Sequence, residues 1–190
     1  MTELLPLNNS HLPIKLTLDD YLLLDEAGAF GAYRKTELID GELYYMNAQH
    51  RPHAVIKSRL FRLLADALDS IGVGWEAVVE GSIAVPPRNS PEPDIVVTSA
   101  PDGAGLVPLD TVKLVIEVSD ATLAFDMKRK MVMYALNGVA EYWVVDVEAR
   151  QIHQMWAPSV DGYEAVRSVA FGEPITAATI AGLHVETSAL

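Results

Sequence analysis

Residues 113–119 read KLVIEVS, and their reading decides the fold. In an extended segment Leu114, Ile116 and Val118 fall on one face, and Val115 and Glu117 fall on the other. Both faces open apolar, which predicts a central strand covered on both sides. Glu117 breaks that pattern. An unpaired carboxylate buried in such a strand is costly unless a cation meets it or it takes up a proton.

Working outward, residues 122–137 (TLAFDMKRKMVMYALN) carry a helical repeat that Gly138 terminates. EYWVVDV (141–147) then returns as a strand. A helix between two apolar strands predicts a parallel crossover. On the other side, DIVVTS (94–99) is a short apolar strand, joined to KLVIEVS by a Pro- and Gly-rich loop over 100–111. Residues 52–70 form the clearest helix, with Val55, Ile56, Leu60, Leu63, Leu64, Ala67 and Leu68 on one face and basic residues expected on the other. Before it, TELIDGELYYM (36–46) is a hairpin turning at Asp40-Gly41. Residues 17–30 form a short helix with Thr17 as N-cap. GWEAVVEGSIAVPP (74–87) reads as a bent strand or hairpin. QIHQMWA (151–157) and GYEAVRSVA (162–170) read as an antiparallel continuation of the sheet. The fold class is therefore α/β, a mixed α+β arrangement with a central sheet flanked by helices. One domain spans 1–190: an N-terminal extension (1–16), a core (17–170) and a polar, less regular tail (171–190).

Composition narrows the function. The chain of 190 residues has no cysteine, which removes disulfide frameworks, thiolate metal sites and cysteine nucleophiles. No signal sequence and no apolar run long enough to cross a membrane is visible, so a cytoplasmic location is expected. A net charge of −12 opposes generalised nucleic-acid binding. The basic residues are gathered, however: His50, Arg51, His53, Lys57, Arg59 and Arg62 in one group, Lys128, Arg129 and Lys130 in another.

Asp94, directly after Pro93, is a second acid at the end of an apolar strand. Two carboxylates at neighbouring strand ends repel unless a divalent cation sits between them, and oxygen ligands suit Mg²⁺ or Mn²⁺. The structural alternative has Asp94 capping a turn and Glu117 paired with an arginine. Asp126, Lys130 and Tyr134 follow at intervals of four and share a helical face. Either Lys130 leans over the end of the Glu117 strand, where it orients or deprotonates a water and offsets transition-state charge, or Asp126 and Lys130 form an exposed pair.

Pro93-Asp94, Glu117-Val118-Ser119 and a nearby lysine resemble the PD-(D/E)XK nuclease superfamily, with Ser119 where the motif has lysine. ELIDGELYYM (37–46), the helix beginning at His53, PEPDIVVTS (91–99) and LVIEVSDATLAFDMKRKMVMYALNGVAEYWVVD (114–146) are similar to the Uma-type endonuclease family, a restriction-endonuclease-like group. That family carries an Asp-x-x-x-Lys-x-x-x-Tyr run after its Glu-Val-Ser strand, which Asp126, Lys130 and Tyr134 match. The resemblance implies a restriction-endonuclease-like core and Mg²⁺-dependent hydrolysis of DNA phosphodiesters, with the lysine moved from strand to helix. It implies that Asp94, Glu117 and the carbonyl of Val118 hold Mg²⁺ or Mn²⁺, that Lys130 is catalytic, and that Glu42 adds a carboxylate. His53 also matches a family position and joins Arg51, Lys57, Lys128 and Arg129 as candidate nucleic-acid contacts. Exposed aromatics expected at Trp143, Trp156 and Tyr163, and the habit of restriction-like nucleases, imply a homodimer. Two other functions stay open: a nuclease fold kept for binding or assembly without turnover, and a metal-dependent hydrolase of a small phosphoester.

Overall fold

A computed structural model describes residues 12–33, 35–46 and 48–190, so the first eleven residues of the expected N-terminal extension lie outside it. Helix α1 (Leu18–Glu26) starts at Thr17, whose hydroxyl accepts from Asp20 N while the Asp20 carboxylate accepts from Thr17 N. This reciprocal cap satisfies two otherwise orphaned donors. Strands β1 (Thr36–Ile39) and β2 (Glu42–Tyr45) form the hairpin, with Asp40 and Gly41 both at positive φ. Helix α2 (Arg51–Ile71) ends at Gly72, which is left-handed at φ 64°.

The principal sheet has six strands. β3 (Glu76–Val79) and β5 (Ile95–Thr98) run antiparallel, and β5 runs antiparallel to β7 (Val112–Ser119). A continuous helix, α3 (123–136), crosses over to β8 (Glu141–Asp146), which lies parallel to β7 as the crossover rule requires. β9 (Gln151–Ser159) and β10 (Gly162–Ala170) extend the far edge, giving the order β10-β9-β8-β7-β5-β3. KLVIEVS is thus an interior strand, and Leu114, Ile116 and Val118 share one core while Val115 belongs to the other. The segment 74–87 does not close a hairpin. β3 joins the main sheet, whereas β4 (Ile83–Ala84) pairs in parallel with β6 (Val107–Pro108).

One face of the sheet is covered by α2 through Ile56, Leu60, Leu64 and Leu68. Each such side chain contributes about 1.5–3 kcal/mol on burial. The same core takes in Ile175, Ile180, Leu183, Val185 and Leu190 from a C-terminal segment with a small ribbon, β11 (Ile175–Thr176) and β12 (His184–Val185). Residues 171–190 are therefore a packed cover and not a polar tail. The apolar residues are spaced too irregularly to read as helix or strand. The other face is covered by α3 and the hairpin, through Met133, Tyr134 and Ile39 against Val96, Val115, Tyr142 and Val144.

Two side-chain expectations fail. Trp143, expected exposed, is fully buried, its indole N–H donating to Glu141 at 2.7 Å. Trp156 and Tyr163 are half-buried, the first under Arg167 and the second donating to Val139 O. Lys57, placed by sequence on a solvated face, is buried at 7% exposure. It lies three residues before Leu60 and seven before Leu64, on the inward stripe. Among the described residues no helix is long and apolar enough to cross a membrane.

Candidate functional site

The register Ile95↔Ile116 makes Asp94 and Glu117 the next opposed pair of the β5–β7 ladder, on the face that carries Val96 and Val115. Both are nearly out of solvent, at 5% and 4% exposure. They line the floor of a cleft of about 710 Å³ bounded by the hairpin, the start of α2 and the first turns of α3.

α3 brings the amine. Its Asp126–Lys130 turn is π-helical, and Asp126, Lys130 and Tyr134 all point inward at 3%, 2% and 0% exposure, so the Asp126–Lys130 pair is buried and not exposed. Lys130 Nζ donates to Glu117 Oε1 at 2.9 Å and to Glu37 Oε1 at 2.9 Å, and Tyr134 OH donates to Glu117 Oε1 at 3.2 Å. Ser119, at the position of the superfamily lysine, donates to Asp126 Oδ2 at 2.7 Å, as does Thr122 at 2.7 Å. The Ser119 hydroxyl pins the start of the helix to the end of β7, and Thr122 holds the same carboxylate from the helix's own N-cap position.

α2 brings the partners of Asp94. Asp94 Oδ2 accepts from Val118 N at 2.9 Å. Asp94 Oδ1 lies 3.0 Å from His53 Nε2, 3.2 Å from Gln49 Nε2 and 3.3 Å from Lys57 Nζ. Lys57 also donates to Glu80 at 2.7 Å, and Lys35 pairs with Glu92 at 2.8 Å.

The electrostatics follow from this layout. Burial raises the Asp94 carboxyl, but His53, the Val118 amide and Lys57 outweigh it and hold the group below its ordinary value. Burial pushes Glu117 well up, and Lys130 only partly opposes the shift because Asp126, Glu37 and Asp94 add to it. Burial also disfavours the Lys130 ammonium, yet Glu117, Glu37 and Asp126 hold its pKa above the ordinary lysine value. The two carboxylates that accept from Lys130 thus favour its charged, donating form.

The structure brings together Asp94, Glu117, Val118, Lys130 and His53 in the cleft, with Lys57 behind Asp94. It leaves Glu42 apart. That residue, opposite Ile39, sits at the solvent-exposed turn end of the hairpin, held by Lys15 at 2.5 Å, Tyr44 at 2.6 Å and Arg129 at 2.6 Å, which draw its carboxyl down to about 2. Arg129, also 3.3 Å from Asp40, belongs to that outer cluster. Lys128 is exposed, and Arg51 borders a separate shallow groove with Arg59, Arg150 and Leu190. The acid of the hairpin that does reach the cleft is Glu37, 1% exposed, which also accepts from Glu92 N at 2.7 Å. Its signal was in TELI: Glu37 alternates with Ile39 on a core-facing side, the same anomaly as Glu117 in KLVIEVS. Lys35, Gln49, Glu80 and Glu92 carried no comparable signal, being ordinary polar residues of loops and strand ends.

Seven cleft-lining residues are Asp or Glu and two are lysine, an excess that draws cations. Among the described residues no group of three or more His, Asp or Glu side chains is arranged to hold a metal by itself. Mg²⁺ does not require such a cage. It is commonly held by one or two carboxylates, with water and substrate phosphate completing its shell. Glu117 Oε2 meets no hydrogen-bond donor among the described residues, and the donors offered are all oxygen, so the residues fit a hard divalent ion.

A family model described as "Uma2: Putative restriction endonuclease" matches residues 18–188. Among solved structures the chain is similar to "a putative nuclease belonging to DUF820 from Anabaena variabilis ATCC 29413", with a TM-score of 0.66 at 15% identity, over 91% of this chain and 96% of that one. At that identity the likeness speaks to the fold. No curated protein matches the chain.

Proposed function

The chain belongs to the Uma2 family, whose model carries the description "Putative restriction endonuclease", and from that premise we propose that it is a Mg²⁺-dependent endonuclease hydrolysing DNA phosphodiester bonds in the cleft. One observation carries the reading: two carboxylates opposed across neighbouring strands, with a buried amine 2.9 Å from one of them. Asp94, Glu117 and the carbonyl of Val118 would hold the ion, and Mn²⁺ would serve in place of Mg²⁺. When bound, the ion supplies Lewis-acid polarisation of a phosphoryl oxygen and an activated water.

The chain's own groups have separable tasks. Lys130, kept protonated by its carboxylate neighbours, offers an N–H to the negative charge that grows on the phosphoryl oxygens. Glu37 helps Glu117 orient that amine, accepting from it at 2.9 Å. Tyr134 fixes Glu117 Oε1. His53 and Lys57 keep Asp94 ionised. Phosphate contacts outside the cleft would come from Arg51 and Lys128, since Lys57 and Arg129 are engaged with acids of the protein.

Incubation of supercoiled plasmid with the protein and Mg²⁺ or Mn²⁺ tests the proposal. Metal-dependent nicking is expected from the wild type and none from Lys130→Ala. Undiminished cutting by that variant would refute the assignment. A fold kept for binding without turnover would instead leave plasmid intact and give no heat with Mn²⁺ in calorimetry.

A further inference from the structure

At the outer edge of the hairpin, two tyrosine rings stand largely in solvent. Tyr45 is 64% exposed and Tyr33 52% exposed, with ring centroids 5.4 Å apart. Tyr45 lines the cleft. Tyr44, opposite Glu37 in the hairpin register, shares that acid's face of β2 and also lines the cleft, but its ring is already covered, with Arg129 5.2 Å above it and Phe125 5.0 Å away; Tyr45 lies on the other face, at the rim. Among the described residues neither the Tyr33 nor the Tyr45 hydroxyl meets a hydrogen-bond partner. The pair therefore offers bare aromatic surface at the mouth of the cleft.

Two properties of the cleft say what that surface fits. About 710 Å³ is the size of a small-molecule site, room for the reacting phosphate and a nucleotide or two, with the rest of the strand lying across the mouth. Its lining is strongly acidic, so a phosphate backbone gains little attraction there beyond the reacting group. Uncharged stacking is the attraction left for the flanking nucleotides, and it tolerates any sequence because every base has a π-face. We infer that Tyr33 and Tyr45 form a base-stacking platform, and that the strand presented to the cleft is unpaired, either single-stranded or locally opened. This deepens the nuclease reading and rests on it.

The test is fluorescence anisotropy of a short phosphorothioate oligothymidylate in Mg²⁺ buffer, alone and annealed to its complement. The wild type should bind the single strand more tightly than the duplex. Tyr45→Ala and Tyr33→Ala should each weaken single-strand binding by about tenfold and leave duplex binding and the melting temperature unchanged. Tyr45→Phe and Tyr45→Trp, which keep a ring, should bind as the wild type or better. The salt dependence should not change in the alanine variants, because a tyrosine releases no counterion. Equal wild-type affinity for single strand and duplex, alanine variants that bind normally, or a Tyr45→Phe loss as large as that of alanine would each overturn the platform. Absence of plasmid cutting by the wild type would sink the nuclease reading alone, since the strand preference is read without cleavage.

Discussion

Asp94 and Glu117 stand opposite one another on adjacent strands, equally hidden from water, yet their carboxyls shift in opposite directions. Burial pushes both up. Asp94 escapes because its neighbours are donors: the Val118 amide on one oxygen, with His53, Gln49 and Lys57 on the other. Glu117 does not, because its one cation, Lys130, is shared with Glu37 and Asp126, whose own charges press on it. Depth alone does not set the protonation of a buried acid; the ratio of donors to rival carboxylates does. Asp94 is therefore built into the fold, whereas Glu117 is held at a cost that a bound cation would relieve.

Substitution can break this contrast. The largest effect is expected at the shared cation. Lys130→Met leaves Glu37, Glu117 and Asp126 facing one another without an amine, and urea unfolding should show a loss of about 3–5 kcal/mol. A loss under 1 kcal/mol would mean that the three acids are not charged together.

Next come the two acids themselves, in metal-free buffer. Asp94→Asn replaces one of two accepting oxygens by an NH2 donor and removes the charge that faces Lys57, so buried donors on one side lose their acceptor and the variant should be destabilised by about 1–3 kcal/mol. Glu117→Gln should be neutral or stabilising, because Lys130 keeps Glu37. Equal destabilisation by both variants would erase the distinction.

The pH dependence sharpens it. A carboxyl whose folded pKa lies below its unfolded value contributes stability above the unfolded pKa and loses it as pH falls through the folded one. The advantage of wild type over Asp94→Asn should therefore hold at neutral pH and fade only below about 3.9. A carboxyl with a raised folded pKa does the reverse. Its contribution is complete below about 4.3 and is lost as pH climbs toward the folded value. Glu117→Gln should thus gain on the wild type as pH rises from 4 to 7, measured as paired denaturation curves along that series. The smallest effect belongs to Glu42, whose carboxyl is drawn down to about 2 but stands in solvent. Glu42→Ala should shift the melting temperature slightly, and added salt should remove the shift.

Most of the architecture was legible along the chain. The strand KLVIEVS, the crossover helix, the hairpin at Asp40-Gly41 and the long helix α2 all follow from periods of two and 3.6 with glycine stops. Single residues of the site that spacing does not reveal are hidden for a geometric reason. Glu37 and Glu42 are both acids of one hairpin, and only the packing of β1 under α3 decides which reaches Lys130. Lys57 is basic, which predicts a solvated side chain, although its helical phase places it inside. The C-terminal segment has no period, so its place against α2 could not be read from spacing.

The sequence by itself determined that a central strand carries an acid it cannot leave unpaired, because alternation and apolarity are local properties of seven residues. Only the tertiary structure decided which groups answer that acid. Partners such as Glu37 and Lys130 are 93 positions apart, and proximity at that separation is set by how layers pack and not by any pattern along the chain.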